Sequence, residues 1–325
     1  MAIADADTLS ADHRTLLEGC GLLDCSERGK LALTGSDAVE FLNGQVTNEL
    51  MTLHPGEGLY AAFLTHKGKM LGDLRILAVG EGEIPSQLLL DTERASLQAL
   101  FDMIRRFKVG FQVELHKRTL ERGLLSLIGP EADQIVGAHE LPGVEHANAR
   151  VEIGQVAALA ARTDVGIDLI CDSADTDALA GALRERGAVT VSAPAAECLR
   201  IEHGRPRFGL DLDETVIPQE AGLNERAVSF TKGCYVGQET VARLHYRGKP
   251  NRHLRGLRLA EPAASGDEIR LGERPIGRLG STAISPRLGA IALALVRREA
   301  EPGAIVSVGE QGASAEVVAL PFSLD

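Results

Sequence analysis

An eight-residue segment, KGCYVGQE at residues 232–239, combines the residue types with the clearest chemistry in this chain. A thiol acts as a nucleophile or a metal ligand once it is ionised, and a nearby ammonium group or helix N-terminus favours the thiolate. Lys232 stands two residues before Cys234, and the stretch that follows, up to His245, is predicted to be helical. This pattern predicts that Cys234 is a reactive thiol and that Lys232 favours its ionised form.

The same cysteine has a plainer interpretation that the residues alone leave open. Free cysteine is among the most buried residue types, so Cys234 can also be a small core residue. Gly233 and Gly237 favour a functional loop, because glycine lets the backbone approach a ligand closely or adopt positive φ. Gln238 and Glu239 are then expected to position the loop or to contact a partner.

Other chemical motifs are weak or missing. Cys20 and Cys25 lie close together in the sequence, but no second pair at ligand spacing accompanies them, so no stably bound metal is predicted. His203, His245 and His253 show no metal-binding spacing either. The sequence lacks a P-loop, a G-x-G-x-x-G dinucleotide fingerprint and a G-x-S-x-G nucleophile elbow, which argues against nucleotide-driven and serine-hydrolase mechanisms.

Charge and composition narrow the class of protein. The 325 residues carry a formal net charge of −12, and only 3% are aromatic with no Trp, so a nucleic-acid partner is not expected. Residues 1–10 lack an apolar run, which predicts neither a signal nor a transit peptide. No apolar stretch approaches the ~20 residues that cross a bilayer. Five cysteines at irregular spacing fit a reducing compartment, so we expect a cytoplasmic protein.

The elements that position these residues mix strands with single helices. Helices are predicted at residues 36–44, from 91 or 92 onward, and at 174–186, and strands at 60–65, 70–79, 88–90, 108–115, 124–128 and 166–171. Ser36 is the expected N-cap of the first helix, and Asp91 or Thr92 that of the second. The two strands at 60–79 form a hairpin. Because no strict βαβ rhythm is present, the pattern predicts an α+β fold with largely antiparallel sheets.

After His253 the pattern changes to short strands between Gly and Pro turns. Six are predicted, at residues 254–259, 268–271, 276–281, 290–296, 305–308 and 315–319. This alternation is typical of a small closed β-barrel. A domain boundary is therefore expected near residue 250, with an N-terminal region at 1–250 and a barrel at 251–325.

The KGCYVGQE segment matches the signature K-G-C-[FY]-x-G-Q-E of the YgfZ family at every position. Four further segments resemble the T-protein superfamily, which includes that family: GSDAVEFLNGQVTNEL (35–50), KGKMLGDLRIL (67–77), LRIEHGRPRFGLDLDETVIPQEAGL (199–223) and RPIGRLGSTAISPRLGAIALALV (274–296). The chain thus resembles folate-binding relatives of the glycine-cleavage T-protein that help to maintain iron–sulfur enzymes.

The resemblance implies a three-lobed ring, two α+β lobes and the barrel, around a channel that holds tetrahydrofolate or a derivative. In the T-protein an Asp of the motif G-G-I-I-D-D-L contacts the folate. The aligned stretch here is GKMLGDL, in which Asp73 takes the second acidic position and Gly72 replaces the other. A carboxylate suits a pterin because it accepts paired hydrogen bonds from an amino group and a ring N–H. Gly72 puts aminomethyl transfer in doubt more than folate binding.

Further contacts to folate are implied by position. Glu202, in the element L-R-x-E-x-G, takes the place of a pterin-binding Glu of the T-protein, and Tyr235 of the signature is another candidate. Arg205, with Arg207, can pair with the glutamate tail of a folate, because guanidinium groups pair well with carboxylates. Both arginines can equally lie in a solvated loop, and the acidic residues can be ordinary surface groups.

The resemblance implies a folate-dependent accessory factor that assembles or repairs iron–sulfur clusters in client enzymes, including radical enzymes that modify tRNA, through the Cys234 thiol. An alternative is a folate-dependent aminomethyl (one-carbon) transferase. A third is a thiol-dependent docking protein that does not bind folate. The expected partners are folate and client enzymes, with no membrane, and the chain is expected to be a monomer.

Overall fold

A computed structural model describes residues 6–138 and 140–323, which form a five-stranded sheet, a six-stranded sheet and a closed barrel. The helices are α1 (Ala6–Glu18), α2 (Ala38–Asn43), α3 (Leu97–Phe107), α4 (Ala132–Val136), α5 (Thr176–Glu185), α6 (Ala193–Glu202), α7 (Asn224–Ala227) and α8 (Gln238–Arg247). The strands are β1 (Gly21–Asp24), β2 (Gly29–Thr34), β3 (Gly58–Leu64), β4 (Met70–Val79), β5 (Gln87–Thr92), β6 (Glu114–Lys117), β7 (Arg122–Ile128), β8 (Asn148–Ile153), β9 (Val156–Arg162), β10 (Gly166–Asp172), β11 (Val189–Thr190), β12 (Arg252–Leu259), β13 (Glu268–Leu271), β14 (Arg274–Ser285), β15 (Gly289–Arg297), β16 (Ile305–Val308) and β17 (Ala313–Val318). Residues 1–5, part of the segment in which no targeting peptide is predicted, lie outside the described residues. None of the described helices is both long and apolar enough to cross a membrane.

The five-stranded sheet has the order β3-β4-β5-β2-β6 and is antiparallel throughout. Successive side chains of a strand point to opposite faces, so alternation along β4 decides what each face packs against. Leu74 lies in the core that α2 and α3 cover. Leu77 lies on the opposite face and shares a core cluster with Ile170 of the six-stranded sheet. Asp73 and Arg75 are on the face of Leu77, so β4 directs its charged side chains to the junction of the two sheets.

The path of the chain ties the two sheets together. The six-stranded sheet has the order β11-β1-β7-β10-β9-β8, in which β1 pairs antiparallel with β7 and parallel with β11. Between β1 and β7 the chain builds the whole five-stranded unit. That unit is therefore an insertion between two neighbouring strands. Its two ends lie close together, because they continue into β1 and β7, which pair in the six-stranded sheet.

A cluster of charged side chains crosses the junction of the sheets. Arg75 Nη2 lies 2.9 Å from Asp91 Oδ2 and 2.8 Å from Asp168 Oδ2 on β10. Arg28 donates a 2.8 Å hydrogen bond to Asp91. Burial acts to raise the pKa of Asp91, but Arg28 and Arg75 outweigh it and hold that pKa below its usual value. The charges compensate one another where water is largely excluded, as a buried ion pair requires.

The barrel runs β12-β15-β14-β13-β16-β17 and closes on itself. All six of its strands overlap the six that the Gly- and Pro-punctuated pattern predicts. Its core is built from small and medium apolar side chains such as Leu257, Ile269 and Val317. The α+β fold with antiparallel sheets and a C-terminal barrel is thus confirmed, and β12 begins at Arg252, next to the expected boundary.

The second predicted helix begins later than expected. Strand β5 continues through Thr92, and α3 begins only at Leu97. The backbone of Asp91 and Thr92 pairs with Lys30 and Gly29 of β2, so it belongs to the sheet. The side chain of Asp91 is held by arginines and caps no helix.

Residues 108–113 were expected in a strand but form turns, and β6 begins only at Glu114. Val109 is 83% exposed and Val113 is 5% exposed, so only the end of this apolar stretch reaches the core. Helix α2 begins at Ala38 with Asp37 rather than Ser36 at its N-cap. Strands β1, β2, β8, β9 and β11 are absent from the sequence prediction; β9 is rich in alanine, which lacks the branched side chains that mark a strand.

The replacement Arg75→Met tests the ionic junction. Methionine removes the guanidinium but fills similar space, so Asp168 keeps a buried charge without its paired cation. We expect the free energy of unfolding, measured by urea denaturation, to fall by about 3–5 kcal/mol. The double variant Arg75→Met/Asp168→Asn should recover part of that loss. A single variant as stable as the wild type would show that the ion pairs do not stabilise the junction.

Candidate functional site

Asp73 lies in a buried polar position at the centre of the fold. It is 5% exposed, and its Oδ2 accepts a 2.7 Å hydrogen bond from the hydroxyl of Tyr60. Its backbone carbonyl accepts a bond from Thr92 Oγ1. Burial raises the pKa of Asp73 to about 6, against the opposing effect of the Tyr60 hydrogen bond. This carboxyl can therefore gain or lose a proton near neutral pH.

Tyr60, on β3, organises the polar groups around Asp73. Its ring stacks at a centroid distance of 6.5 Å on the imidazole of His146. The guanidinium carbon of Arg226 lies 5.2 Å from the centre of the same ring, and Arg226 also pairs with Glu145. These side chains come from three separate parts of the sequence. The position is thus assembled only when the sheets and the segment after α6 come together.

A second charged group borders this region. Glu93, which raises the pKa of Asp73 by its charge, pairs with Arg28. Arg207 lies 3.7 Å from Glu93 and 3.2 Å from Glu197 of α6. Arg205, by contrast, donates a 2.6 Å hydrogen bond to Asp164. Of the two arginines expected at a folate tail, the structure therefore brings Arg207 toward the surroundings of Asp73, whereas Arg205 is paired elsewhere.

The irregular chain at residues 208–241 covers the adjacent part of the same sheet. Its apolar side chains pack with Ala62 and Leu64 of β3 and with Met70 of β4. The amide of Met70 donates a 2.8 Å hydrogen bond to the carbonyl of Val216, so the contact also involves backbone. Asp73 therefore lies where the two sheets and this segment meet.

Glu202 occupies a different cluster, at the junction of α1, α6 and the barrel. It is 2% exposed and accepts hydrogen bonds from His13 Nε2 (2.9 Å), Ser285 Oγ (2.5 Å) and Arg287 Nη2 (2.7 Å). Burial acts to raise its pKa, but these three donors outweigh burial and lower the pKa to about 2. No hydrogen bond or ion pair among the described residues joins Glu202 to Asp73 or to Tyr60. In the structure this carboxylate joins α6 to α1 and to the barrel, and its contact with a pterin stays a prediction.

The same cluster offers metal-binding atoms in a small space. One ligand atom each of His13, Cys198 and Glu202 lie within 4.8 Å of one another. Burial and the charge of Glu202 raise the pKa of Cys198 to about 12, which keeps it a thiol. Arg287 already supplies a positive charge to Glu202. A divalent cation would need to displace these bonds and ionise the thiol, so this donor set does not fit one well.

Lys232 lies apart from solvent and fixes the thiol-bearing loop. Its Nζ donates hydrogen bonds to the backbone carbonyls of Asn43 (2.7 Å), Val46 (3.0 Å) and Asn48 (2.6 Å). Burial lowers its pKa to about 8. The three ammonium protons are thus all used by carbonyls at the end of α2 and in the chain after it, which leaves none to hydrogen-bond a thiolate. An effect of Lys232 on Cys234 remains a prediction about charge alone.

Cys234 is the exposed cysteine of the five. Helix α8 begins at Gln238 with Gly237 at its N-cap, so Cys234 lies almost one turn before the helix. The helix dipole acts mainly within the first turn, so its influence on the thiol is weak. Gly237 has φ of 85°, and a Cβ there would lie 2.6 Å from the carbonyl oxygen of Thr65.

Other residues of the signature support the loop. Tyr235 is 8% exposed and packs in the core cluster beneath residues 208–241, with Lys232 Nζ 5.3 Å from its ring centre. Gln238 Nε2 donates a 3.4 Å hydrogen bond to the carbonyl of Gly233. Glu239 is exposed. The structure therefore places Tyr235 in the core, and its expected contact with folate stays a prediction.

Two family models match almost the whole chain: the GCVT N-terminal domain over residues 4–232 and the glycine cleavage T-protein C-terminal barrel domain over residues 252–323. This chain belongs to the glycine-cleavage T-protein family. It is 30% identical over 327 residues to an aminomethyltransferase of Rubrobacter xylanophilus, covering 97% of this chain and 86% of that protein. It is 31% identical to an aminomethyltransferase of Streptomyces coelicolor, covering 96% of this chain and 88% of the other.

The family assignment also holds in three dimensions. The crystal structure of the glycine cleavage system aminomethyltransferase T from Bartonella henselae aligns with a TM-score of 0.85 at 25% identity, covering 97% of this chain and 90% of that one. The T-protein superfamily inferred from sequence is thereby confirmed, together with its fold. The narrower likeness to YgfZ stays a prediction.

Within the T-protein family motif, the departure at Gly72 has a structural basis. A Cβ at Gly72 would lie 2.4 Å from Cβ of Ser96 and 2.7 Å from the ring of Phe63. Aspartate therefore does not fit at this position unless Ser96 and the aromatic ring move. The site has one carboxyl, that of Asp73, where the T-protein motif carries two.

Several residues around Asp73 were missed by sequence reasoning. Tyr60, His146 and Arg226 belong to no recognised motif, and both His146, in a loop, and Arg226, on α7, are distant from Tyr60 in the sequence. Tyr60 offered a usable signal, since it is one of three tyrosines in the chain and lies on a strand predicted to be apolar. A polar aromatic side chain there suggests a hydroxyl that needs a partner.

The replacement Asp73→Asn tests whether the ionised carboxyl of Asp73 lowers the stability of the fold. The pKa of Asp73 is about 6 in the folded protein, against an ordinary value of 3.8. Its ionisation therefore disfavours the fold: the stability of the wild type is full below pH ~4 and is lost as the pH rises through ~6. The asparagine of the variant can still accept the Tyr60 hydrogen bond, so the variant should be more stable at neutral pH by about 2–3 kcal/mol.

Urea unfolding of both proteins between pH 4 and 8 checks this expectation. The two free energies should approach each other at the acidic end and separate as the pH rises. Asp172→Asn, which removes an exposed carboxylate at the end of β10 that pairs with Arg122, is the control and should not become more stable than the wild type as the pH rises. Parallel profiles for Asp73→Asn and the wild type would mean that Asp73 ionises as easily in the fold as in the unfolded chain.

Proposed function

We propose that this protein binds a reduced folate, tetrahydrofolate or a derivative, with the pterin at Asp73. The observation that carries the proposal is the buried Asp73 carboxyl, to which Tyr60 is the side-chain donor among the described residues and whose pKa is raised to about 6. A carboxylate has about four lone-pair sites, so most of its accepting capacity remains for a ligand. A buried carboxyl that its own fold leaves poorly compensated is a common feature of binding and catalytic sites.

The chemistry of the surrounding groups fits a pterin. The edge of the pterin offers an amino group and a ring N–H side by side, which match the two oxygens of Asp73. Tyr60 holds one of those oxygens in place. Arg207 is the better placed of the two arginines for the glutamate tail, because Arg205 is engaged by Asp164. Bound tetrahydrofolate would supply two nitrogens able to accept a one-carbon unit.

Folate binding predicts stabilisation of the fold by the ligand. Tetrahydrofolate at 100 times its dissociation constant should raise the free energy of unfolding by about 2.7 kcal/mol, which thermal melting detects. In Asp73→Asn the shift should disappear, because the amide presents an NH₂ group to the donors of the pterin. Tyr60→Phe should weaken binding about tenfold through loss of one charge-assisted hydrogen bond. A wild-type melting temperature that is unchanged by the ligand would refute folate binding.

One activity for the folate-bound protein is aminomethyl transfer, which the names of the relatives support. In such a reaction the carbon of a donor's aminomethyl group is transferred to the folate. The amine nitrogen leaves as ammonia, and the two displaced folate protons go to the ammonia and to the departing donor atom. Asp73 can take up or release one proton near neutral pH, which suits that step. The single carboxyl beside Gly72 argues for a restricted or altered version of this chemistry.

A second activity is support of iron–sulfur enzymes through Cys234. The exposure of this thiol favours it, since aminomethyl transfer to folate uses no cysteine of the protein. The loop is rigid, because Lys232 ties it to the chain after α2 and Gly237 packs against the hairpin turn. A thiol held at the surface by this many contacts can be presented to a partner at low cost in conformational entropy.

The surface next to the thiol loop supports a protein partner. Gly68 of the hairpin turn packs against Thr240 of α8. Arg243 and Arg247 follow Thr240 at helical spacing and are exposed, as is Lys67 in the turn. In a chain of net charge −12 this local positive surface favours an acidic partner surface.

Cells whose only copy carries Cys234→Ala distinguish the two activities. If the thiol serves iron–sulfur enzymes, the activities of endogenous iron–sulfur enzymes in extracts should fall to the level of a deletion strain. Thr231→Ala, an exposed neighbour in the same loop, is the control and should behave as wild type. Client activities at wild-type level in Cys234→Ala, with a clear defect in the deletion strain, would exclude the thiol. Formation of methylenetetrahydrofolate by the purified protein from an amine donor alone would favour the transferase.

A further inference from the structure

His146 has an unusual backbone for its residue type. Among residues 6–138 and 140–323 it is the one non-glycine residue with positive φ, at 71°. This left-handed region is unfavourable for a residue with a Cβ atom, and a residue stays there only where its surroundings impose it. Such strain is often found at ligand sites, but it needs independent support from the side chain.

The surroundings of His146 do impose this conformation. Its amide donates a 2.9 Å hydrogen bond to the carbonyl of Arg162, and the next residues are held by the chain before β3. Asn148 contributes most, since its amide bonds to the carbonyl of Gly56 at 2.7 Å and its side chain to that of Glu57 at 2.7 Å. A Cβ on Gly58 would lie 2.6 Å from the carbonyl oxygen of His146. The strand that carries Tyr60 is thus packed directly against the backbone of His146.

The nitrogens of the imidazole lack a good hydrogen-bond partner among the described residues. His146 is 9% exposed, and its Nδ1 is buried with no hydrogen bond to any described residue. Nε2 lies 3.6 Å from Oε1 of Glu145, too far for a good hydrogen bond. Burial, together with the positive charges of Arg75 and Arg226, lowers the pKa of His146 to about 3. The ring is therefore neutral at neutral pH, with one N–H to donate and one lone pair to accept.

We propose that His146 is a ligand-contacting residue of the Asp73 site, whose Nδ1 exchanges a hydrogen bond with an uncharged polar group of the bound reduced pterin. The inference rests on the proposed folate binding and adds a residue to it. His146 stacks on Tyr60, whose hydroxyl holds Asp73, so the two ligand-facing groups share one aromatic support. A strained backbone and an unpaired buried nitrogen both weaken the free protein, and a ligand that pairs the nitrogen removes part of that cost.

The proposed contact predicts that a variant without the imidazole nitrogens keeps its stability but binds tetrahydrofolate less tightly. His146→Phe keeps an aromatic ring against Tyr60 but removes both nitrogens. The free variant loses an unpaired polar atom but keeps the left-handed backbone, which Phe tolerates less well than His, so its melting temperature should stay close to that of the wild type. Its dissociation constant for tetrahydrofolate, measured by calorimetry, should be about tenfold higher. His146→Asn tolerates the left-handed backbone and keeps polar atoms, so its affinity should fall between the two.

Two further measurements separate contact from support of the fold. His116→Phe is the matched control, because β6 lies at the edge of the five-stranded sheet opposite to β3, which carries Tyr60; this variant should bind as the wild type does. In ¹⁵N-labelled protein, the Nδ1 resonance of His146 should shift when tetrahydrofolate is added, and that of His116 should not. Equal affinities of the wild type and His146→Phe would overturn the contact, as would a loss of affinity with an unshifted Nδ1 resonance, which indicates a structural role or a bridging water. If the wild type itself does not bind tetrahydrofolate, the proposed function fails and this inference with it.

Discussion

The packing of β4 sets the constraint on which the rest of the structure depends. One face of this strand is apolar and covered by helices, while the other presents Asp73, Arg75 and Leu77 in succession. No single apolar neighbour can cover that second face, because each charge needs a partner once it leaves water. The six-stranded sheet supplies Asp168 to Arg75, and the chain after α6 covers the far end. Asp73 lies between the part of β4 that the six-stranded sheet covers and the part that the chain after α6 covers.

The irregular chain at 208–241 shows how such a covering segment is fixed without a regular sheet. Its contacts use backbone groups of its neighbours, as with Lys232, whose ammonium group collects three carbonyls, and Met70, whose amide bonds to Val216. Every residue has a backbone carbonyl, so the hydrogen bonds of Lys232 depend on the backbone conformation at the end of α2 and after it, and not on the side chains there. The thiol of Cys234 is thereby held at the surface by a residue that sequence reasoning had assigned to its activation.

Periodicity predicted the elements that have strong local signals. The hairpin at β3 and β4, helix α2, helix α8 and all barrel strands follow from alternation, helical spacing and turn residues. Proximity in the sequence did not predict contacts. Arg205 and Arg207 are two residues apart, yet Arg205 pairs with Asp164, whereas Arg207 pairs with Glu93 and Glu197. The partners of Asp73 were missed for the same reason, since Tyr60 and His146 meet only through the insertion of one sheet into the other. Local sequence carries no record of that long-range contact.

The buried carboxylates of this fold separate a functional site from supporting structure. Asp91 and Glu202 are as buried as Asp73, yet their donors outweigh burial and lower the pKa of each. Among the described side chains the donor to Asp73 is the hydroxyl of Tyr60, and burial outweighs this bond and raises the pKa to about 6. Its neighbour His146 has a left-handed backbone and an unpaired Nδ1. A protein stabilised elsewhere by well-compensated charges can tolerate this unfavourable pair, and a ligand that offers hydrogen bonds to both groups gains affinity from relieving it. The location of this uncompensated pair, more than the reactivity of any one residue, is therefore the basis for the proposed pterin position.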